Sequence, residues 1–196
     1  MLVDQALEAG YHVVAYARNP SKLAKTHERL TVIQGELRDH EGIERAMSGA
    51  DAVISVLGPR RDSKGKPITE GIQNIIAAMK KEGVRRLIIS STASAEDPSD
   101  EPDLRFKILV EIVRLLIRPS YEEIIGTANA VRKSGLDWTI VRLSLLNNGP
   151  RSGKVRVGHK GRGEVGLRIA RADIADFMLK QVNDPKYLRQ APLISN

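Results

Sequence analysis

Five short runs rich in branched aliphatic residues, HVVAYAR, TVIQGE, AVISVLG, RLIISST and WTIVRLSLL, recur along the chain with helical stretches between them. The runs show little apolar/polar alternation, as expected of strands covered on both faces in a parallel sheet. Between them, residues 41–47 and 68–82 read as helices. In the second, Ile68, Ile72, Ile75, Ile76 and Met79 fall on one face. Strand and helix in alternation define an α/β class with a doubly wound parallel sheet. At 196 residues and 41% hydrophobic content, residues 1–196 have the size of a single domain with its own core.

Composition narrows the function. No apolar run approaches the roughly 20 residues that span a bilayer, and no charged start leads into an apolar core and cleavage site. The chain has no cysteine, hence no disulfide, thiolate nucleophile or cysteine-held metal. The expectation is a soluble cytoplasmic protein with no membrane partner. A net charge of +7 and a pI near 9.8 raise the question of nucleic acid. Lys and Arg are interleaved with Asp and Glu, however, and only 4% of residues are aromatic. Without stacking platforms between the basic residues, a solvated surface serving anionic cofactors is the better reading, with no nucleic-acid partner.

Leu2, Val3, Ala6 and Leu7 recur at helical spacing and stop at Gly10, so the chain opens inside a helix. AEDPSDEPD is an acidic, turn-rich loop after the fourth run, and a long helical region then precedes Trp138. Its first part, LRFKILVEIVRLLIR, puts Lys107, Glu111, Arg114 and Arg118 on one stripe and is apolar elsewhere. A helix at a membrane surface has a wide polar face, and this one is narrow. It is expected to pack on the sheet and roof a pocket or a dimer contact. From Asn147 onward, a glycine-rich hairpin or loop leads to a last amphipathic helix starting near Arg171.

Ligands of parallel sheets bind beyond the carboxyl ends of the strands. The first run ends in Tyr16, Ala17, Arg18 and Asn19, and Lys22 follows within a turn. A dinucleotide site for NAD carries an acidic residue at that strand end, whereas a positive one accommodates the 2′-phosphate of NADP. Arg18 therefore argues for NADP.

In the order QALEAGYHVVAYARNPSKL, QGELRD, DAVISVLG, GIQNIIAAMKKEGVRRLIISST, SGLDWTIVR and RADIADFMLKQV, the whole length resembles the NAD(P)H-binding atypical short-chain dehydrogenase/reductases. That Rossmann-like group includes biliverdin reductase B-like flavin reductases and NmrA-like proteins. The resemblance implies that Glu36 and Leu37 lie against the adenine, with Glu36 where the group has Asp. It implies that Val56, Leu57 and Gly58 pass beside the nicotinamide ribose. Ser91 and Thr92 would face the nicotinamide and the substrate as the catalytic hydroxyls, with Arg18, Asn19 and Lys22 at the adenosine phosphate.

Two departures matter. Classical members activate a Tyr with a Lys four residues on, but here Tyr121 is followed by Glu122, Glu123, Ile124 and Ile125. Biliverdin reductase B has a His after the strand matching WTIVRLSLL, where this chain offers Leu143, Ser144, Leu145 and Leu146. Of the four histidines, His12, His27 and His40 sit in early segments, and only His159 lies in a region able to reach the pocket. What remains suits a small-molecule acceptor that takes hydride without a strong proton donor, such as a flavin or quinone. The alternatives are a non-catalytic NADP(H) sensor acting through a protein partner, as in NmrA-like proteins, and an inert chain. The acceptor and the oligomeric state are not legible.

In the six-strand order 3-2-1-4-5-6 the first strand is central, and its glycine turn delivers the pyrophosphate to a helix N-terminus. Residues 2–9 read as the helix that follows such a turn. The expectation is therefore that the first strand and glycine loop, on the order of 10 to 15 residues, are absent from this sequence. HVVAYAR and AVISVLG are then expected to lose their shared neighbour, so that they close up on each other, another segment or chain fills the slot, or, the favoured reading, the natural protein starts upstream.

Overall fold

The computed structural model describes residues 1–23, 26–59 and 65–196, apart from the side chain of Lys22. Helix α1 (Leu2–Glu8) ends just before Gly10, whose φ of +91° an L side chain resists. Strand β1 (Val13–Ala17) leads through a 3₁₀ turn, Pro20–Leu23, to β2 (Leu30–Gln34). The two pair in parallel from Val13 opposite Leu30 to Ala17 opposite Gln34. Asp39 caps α2 (His40–Met47), its Oδ1 accepting the Gly42 N–H at 2.9 Å. There follow β3 (Ala52–Ser55), α3 (Pro67–Lys81) and β4 (Arg86–Thr92), then α4 (Leu104–Leu116), α5 (Arg118–Arg132) and β5 (Asp137–Leu143). The chain closes with β6 (Leu145–Asn147), β7 (Arg156–Gly158), β8 (Arg168–Ala170), α6 (Arg171–Lys180) and β9 (Leu193–Ser195).

The central sheet has the order β3-β4-β5-β9-β7, parallel except for β7, which runs antiparallel to β9. Pleating turns alternate β4 residues to opposite faces. Leu87 and Ile89 enter a core with Ile72, Ile76 and Met79 of α3 and Ile124, Ala128 and Val131 of α5. Ile88 enters another with Val141, Ile194 and Ile174, Phe177 and Met178 of α6. Covered on both sides, the sheet is doubly wound, which is why its strands lack alternation in sequence.

Among the described residues, β1 and β3 do not pair. Strands β1 and β2 form their own two-stranded sheet, and β3 is an edge of the central one. The two strands expected to lose a common neighbour thus have none, and they do not close on each other.

Several boundaries differ from the sequence expectation. The long helical region breaks at Ile117 (φ −137°, ψ 52°). Pro119 lacks an N–H, and its ring would strike the carbonyl four residues earlier, so α4 cannot continue through it, whereas the first turn of a new helix accepts it. Arg118 accordingly opens α5 and leaves the charged stripe assigned to the preceding helix. WTIVRLSLL divides at Ser144: β5 stays in the central sheet while β6 pairs with β8 in a separate one. The glycine-rich segment is not a hairpin, because β7 and β8 each pair with a distant strand instead of each other.

Candidate functional site

The carboxyl end of β1 is tied to that of β2 by one side chain. The Tyr16 hydroxyl donates to the Glu36 carbonyl at 2.9 Å and lies 3.4 Å from Asp39 Oδ2. Burial, then the charge and hydrogen bond of Asp39, push its phenol up. The ring crosses directly over Gly35, where an added Cβ would stand 2.0 Å from the hydroxyl oxygen. A glycine is therefore required for this tie. Arg18 follows as an exposed residue whose backbone carbonyl accepts from Gln34 Nε2 at 3.4 Å. Among the described residues its guanidinium has no partner. Asn19 holds the next turn, Oδ1 accepting from the Ser21 N–H at 3.2 Å and hydroxyl at 2.6 Å. Lys22 belongs to that 3₁₀ turn, and its side chain lies outside the described residues. Glu36 is exposed, while Leu37 packs partly on the main core and its carbonyl accepts from Asn74 Nδ2 at 2.7 Å.

The residues expected at the nicotinamide lie at the ends of two strands of the central sheet. Ser55 pairs with Ile89, so β3 and β4 end on the same edge. Beyond β3, Val56 is exposed and Leu57 packs on the core. Gly58 is exposed, and a Cβ there would meet nothing within 4 Å. Ser91 and Thr92 are half-buried at the end of β4. Thr92 Oγ1 accepts the Ser94 N–H at 3.3 Å, so it also terminates its own strand. The groups expected at the adenosine and nicotinamide ends thus lie at two sheets with no ladder between them among the described residues.

Several buried charges escaped the sequence reading, Glu123 and Arg142 among them. Glu123 of α5, 1% exposed, accepts from the Ile68 and Thr69 N–H groups at 2.9 and 2.8 Å and from the Thr69 hydroxyl at 2.7 Å. It caps α3 from a neighbouring helix, where Lys66 offers no side-chain cap. At the end of β5, Arg142 binds Asp100 with two hydrogen bonds, and its Nε donates to the Ala191 carbonyl at 2.6 Å. The acidic loop is thus a structural clamp. Asp100 Oδ1 also accepts the Lys160 N–H, and Lys160 Nζ reaches Glu96 at 3.1 Å. His159 Nδ1 stands 3.7 Å from Asp97 in this clamp. The one available signal was an arginine inside an apolar strand, which demands a buried acceptor.

A cavity of about 740 Å³ opens between the acidic loop and α4, lined in part by Asp100, Asp103, Lys107, Val110 and Lys160. Helix α4 edges this cavity, as expected, and Phe106 is its one buried residue. Its apolar stripe is not on the sheet. Leu104, Ile108, Ile112, Leu115 and Leu116 face outward. Among the described residues no group of His, Asp or Glu could hold a metal. No helix there is long and apolar enough to cross a membrane.

A parallel sheet with helices on both faces and an open row of strand ends defines a Rossmann-like dinucleotide-binding domain. Residues 1–185 match the family described as NAD(P)H-binding, and the chain belongs to that family. It is similar to cinnamoyl-CoA reductase 1 of Petunia hybrida, 31% identical over 115 residues, covering 52% of this chain and 34% of the relative. Dihydroflavonol 4-reductase of Hordeum vulgare is 30% identical over 118 residues, covering 52% and 33%. The chain therefore spans about a third of the length of the curated relatives it matches. Among solved structures, a short-chain dehydrogenase/reductase of Veillonella parvula crystallised with NADP superposes with a TM-score of 0.78 at 20% identity, covering 100% of this chain and 88% of that one. An anaerobillin reductase of Escherichia coli O157:H7 gives 0.77 at 21%, covering 99% and 89%. At such identities these neighbours establish the fold.

The residues present fit a dinucleotide at both of its ends. Among the described residues, Arg18 is an unpaired cation just beyond β1, and Gly58 leaves open space beyond β3. No glycine-rich strand-to-helix turn for the pyrophosphate is found among the described residues.

Proposed function

We propose that this protein is an NADPH-dependent cytoplasmic reductase of a small conjugated acceptor, a flavin or quinone, that needs little help from a protein acid. The observation that carries the reading is the β4 terminus. Ser91 and Thr92 stand half-buried at the end of β4, the strand paired with β3, beyond which Gly58 leaves open space, and Tyr121, with Ile125 four residues on, lacks the lysine of a Tyr/Lys pair. NADPH, when bound, supplies hydride. Arg18 and Asn19 hold the adenosine phosphate end, Val56 to Gly58 leave room for the nicotinamide ribose, and the two hydroxyls orient the acceptor. The acceptor takes up the hydride together with a proton from water, because its own ring heteroatoms stabilise the added charge. The names of relatives as reductases of cinnamoyl-CoA and dihydroflavonol, and of a structural neighbour as an anaerobillin reductase, support a reductase.

A second reading, a non-catalytic NADP(H) sensor, is favoured by one contact: Thr92 Oγ1 accepts the Ser94 N–H, which gives the hydroxyl a structural use at the strand end. Turnover separates the two. NADPH oxidation is to be followed with flavin mononucleotide and with a benzoquinone. Oxidation above the buffer rate, lowered in Thr92→Val with NADPH affinity nearly unchanged, is expected for an interaction made mainly in the transition state. Tight NADPH binding with no turnover of either acceptor supports the sensor.

A further inference from the structure

We propose that the outward stripe of α4 is a self-association surface, packing antiparallel against the same stripe of a second copy of this chain. Leu104, Ile108, Ile112, Leu115 and Leu116 are 70%, 52%, 46%, 73% and 78% exposed. At 3.6 residues per turn they share one face, opposite Phe106, which is buried against Ala93, Val165 and Leu193. Scattered exposed leucines need no explanation, but a continuous stripe of five marks an interaction surface.

The stripe's own symmetry says what covers it. Four of its five residues are spaced evenly about Val110, so a two-fold axis there sets Leu104 against Leu116 of the second copy and Ile108 against Ile112, while Leu115 falls opposite position 105 of the other helix. One flank carries Lys107, Glu111 and Arg114, a negative charge between two positive ones. In that register Glu111 stands opposite position 109 of the other helix, about 3 Å along the axis from its Lys107. The two-fold repeats the contact, so opposite charges meet on both sides, and the two helix dipoles run antiparallel. An anionic lipid surface fits less well, because Glu111 borders the stripe and Glu101 and Asp103 stand at its N-terminal end. Five aliphatic side chains offer only part of the roughly 800 Å² per partner of a standard interface, so the dimer dissociates on dilution.

Sedimentation velocity of the full chain, from low to high micromolar concentration, tests this. The wild type shifts from monomer to dimer. Ile112→Glu weakens the association at least about tenfold, as loss of a central apolar contact does. Leu115→Gln is the second variant should the first fold poorly, with circular dichroism confirming the fold of each. Lys107→Glu also weakens the dimer, and the double swap Lys107→Glu with Glu111→Lys restores it. A wild type that stays monomeric throughout overturns the proposal, and so does a dimer indifferent to Ile112→Glu and Leu115→Gln. A double swap no better than Lys107→Glu overturns the antiparallel pairing. A monomer that co-sediments with phosphatidylserine vesicles through this stripe assigns it to a membrane instead.

Discussion

Both oxygens of Asp100 are bound by the guanidinium of Arg142, at 2.6 and 2.8 Å, and the two side chains are 7% and 0% exposed. The pair fastens the acidic loop after β4 to the end of β5, on the same edge of the sheet as Ser91 and Thr92. Ser91 is in register with Arg142 itself.

Removing one partner of such a pair leaves an uncompensated buried charge. Asp100→Ala is expected to cost about 3–5 kcal/mol, which lowers the thermal midpoint by about 6–20 °C in a domain of this size. Arg142→Met combined with Asp100→Ala should lose less than the sum of the single variants, because neither charge is then stranded. Additive losses in calorimetry would show that the pair is not coupled.

Acid should unfold the protein through two carboxylates. Burial pushes the Asp100 carboxyl up, but the Arg142 bonds and the Asp97 and Lys160 N–H groups outweigh it and hold it below the usual range. Burial likewise raises Asp173, and Asn196, Gly153 and Ser152 outweigh it. A carboxyl depressed in the folded state contributes stability above its unfolded value, near 3.9, and loses it as pH falls through the folded value. The midpoint should thus hold steady from neutral pH to about 5 and fall steeply below about 4. Asp173→Asn, less stable at pH 7, should show a shallower acid limb; an unchanged limb would remove Asp173 from the account.

Glu123 satisfies three donors at the start of α3 from a helix distant in sequence. Glu123→Ala should cost about 2–3 kcal/mol, the scale of a lost cap with unsatisfied buried donors, and Glu123→Gln less. The urea midpoint should move with an unchanged slope. Hydrogen exchange at Ile68 and Thr69 should quicken most, and uniform acceleration along the chain would argue against a local cap.

Arg18→Glu should weaken NADPH binding by about 1.5–3 kcal/mol, roughly 10- to 100-fold in Kd, and leave NADH nearly unchanged. Titration of both nucleotides against both forms decides this. Equal losses would mean that Arg18 does not meet the 2′-phosphate.

The sequence by itself determined the alternation of strands and helices, the core stripe Ile72, Ile75, Ile76 and Met79, and the strand ends that precede Arg18 and Gly58 and carry Ser91 and Thr92. These follow from local propensity and periodicity, which act over a few residues and are written in the order of the chain. Tertiary structure alone decided which charges meet. Asp100 lies 42 residues before Arg142, and Glu123 lies 54 after Thr69. Short-range pattern carries no index of such partners, so the acidic loop read only as a turn-rich connection although it clamps the sheet. The pairing of β6 with β8 and of β7 with β9 was hidden for the same reason, since a three-residue strand is specified by the edge it finds. Helix α4 shows the converse. Its apolar stripe was plain in the sequence, but only the packing around Phe106 determined that the stripe faces outward, because a helix buries whichever side its neighbours leave room for.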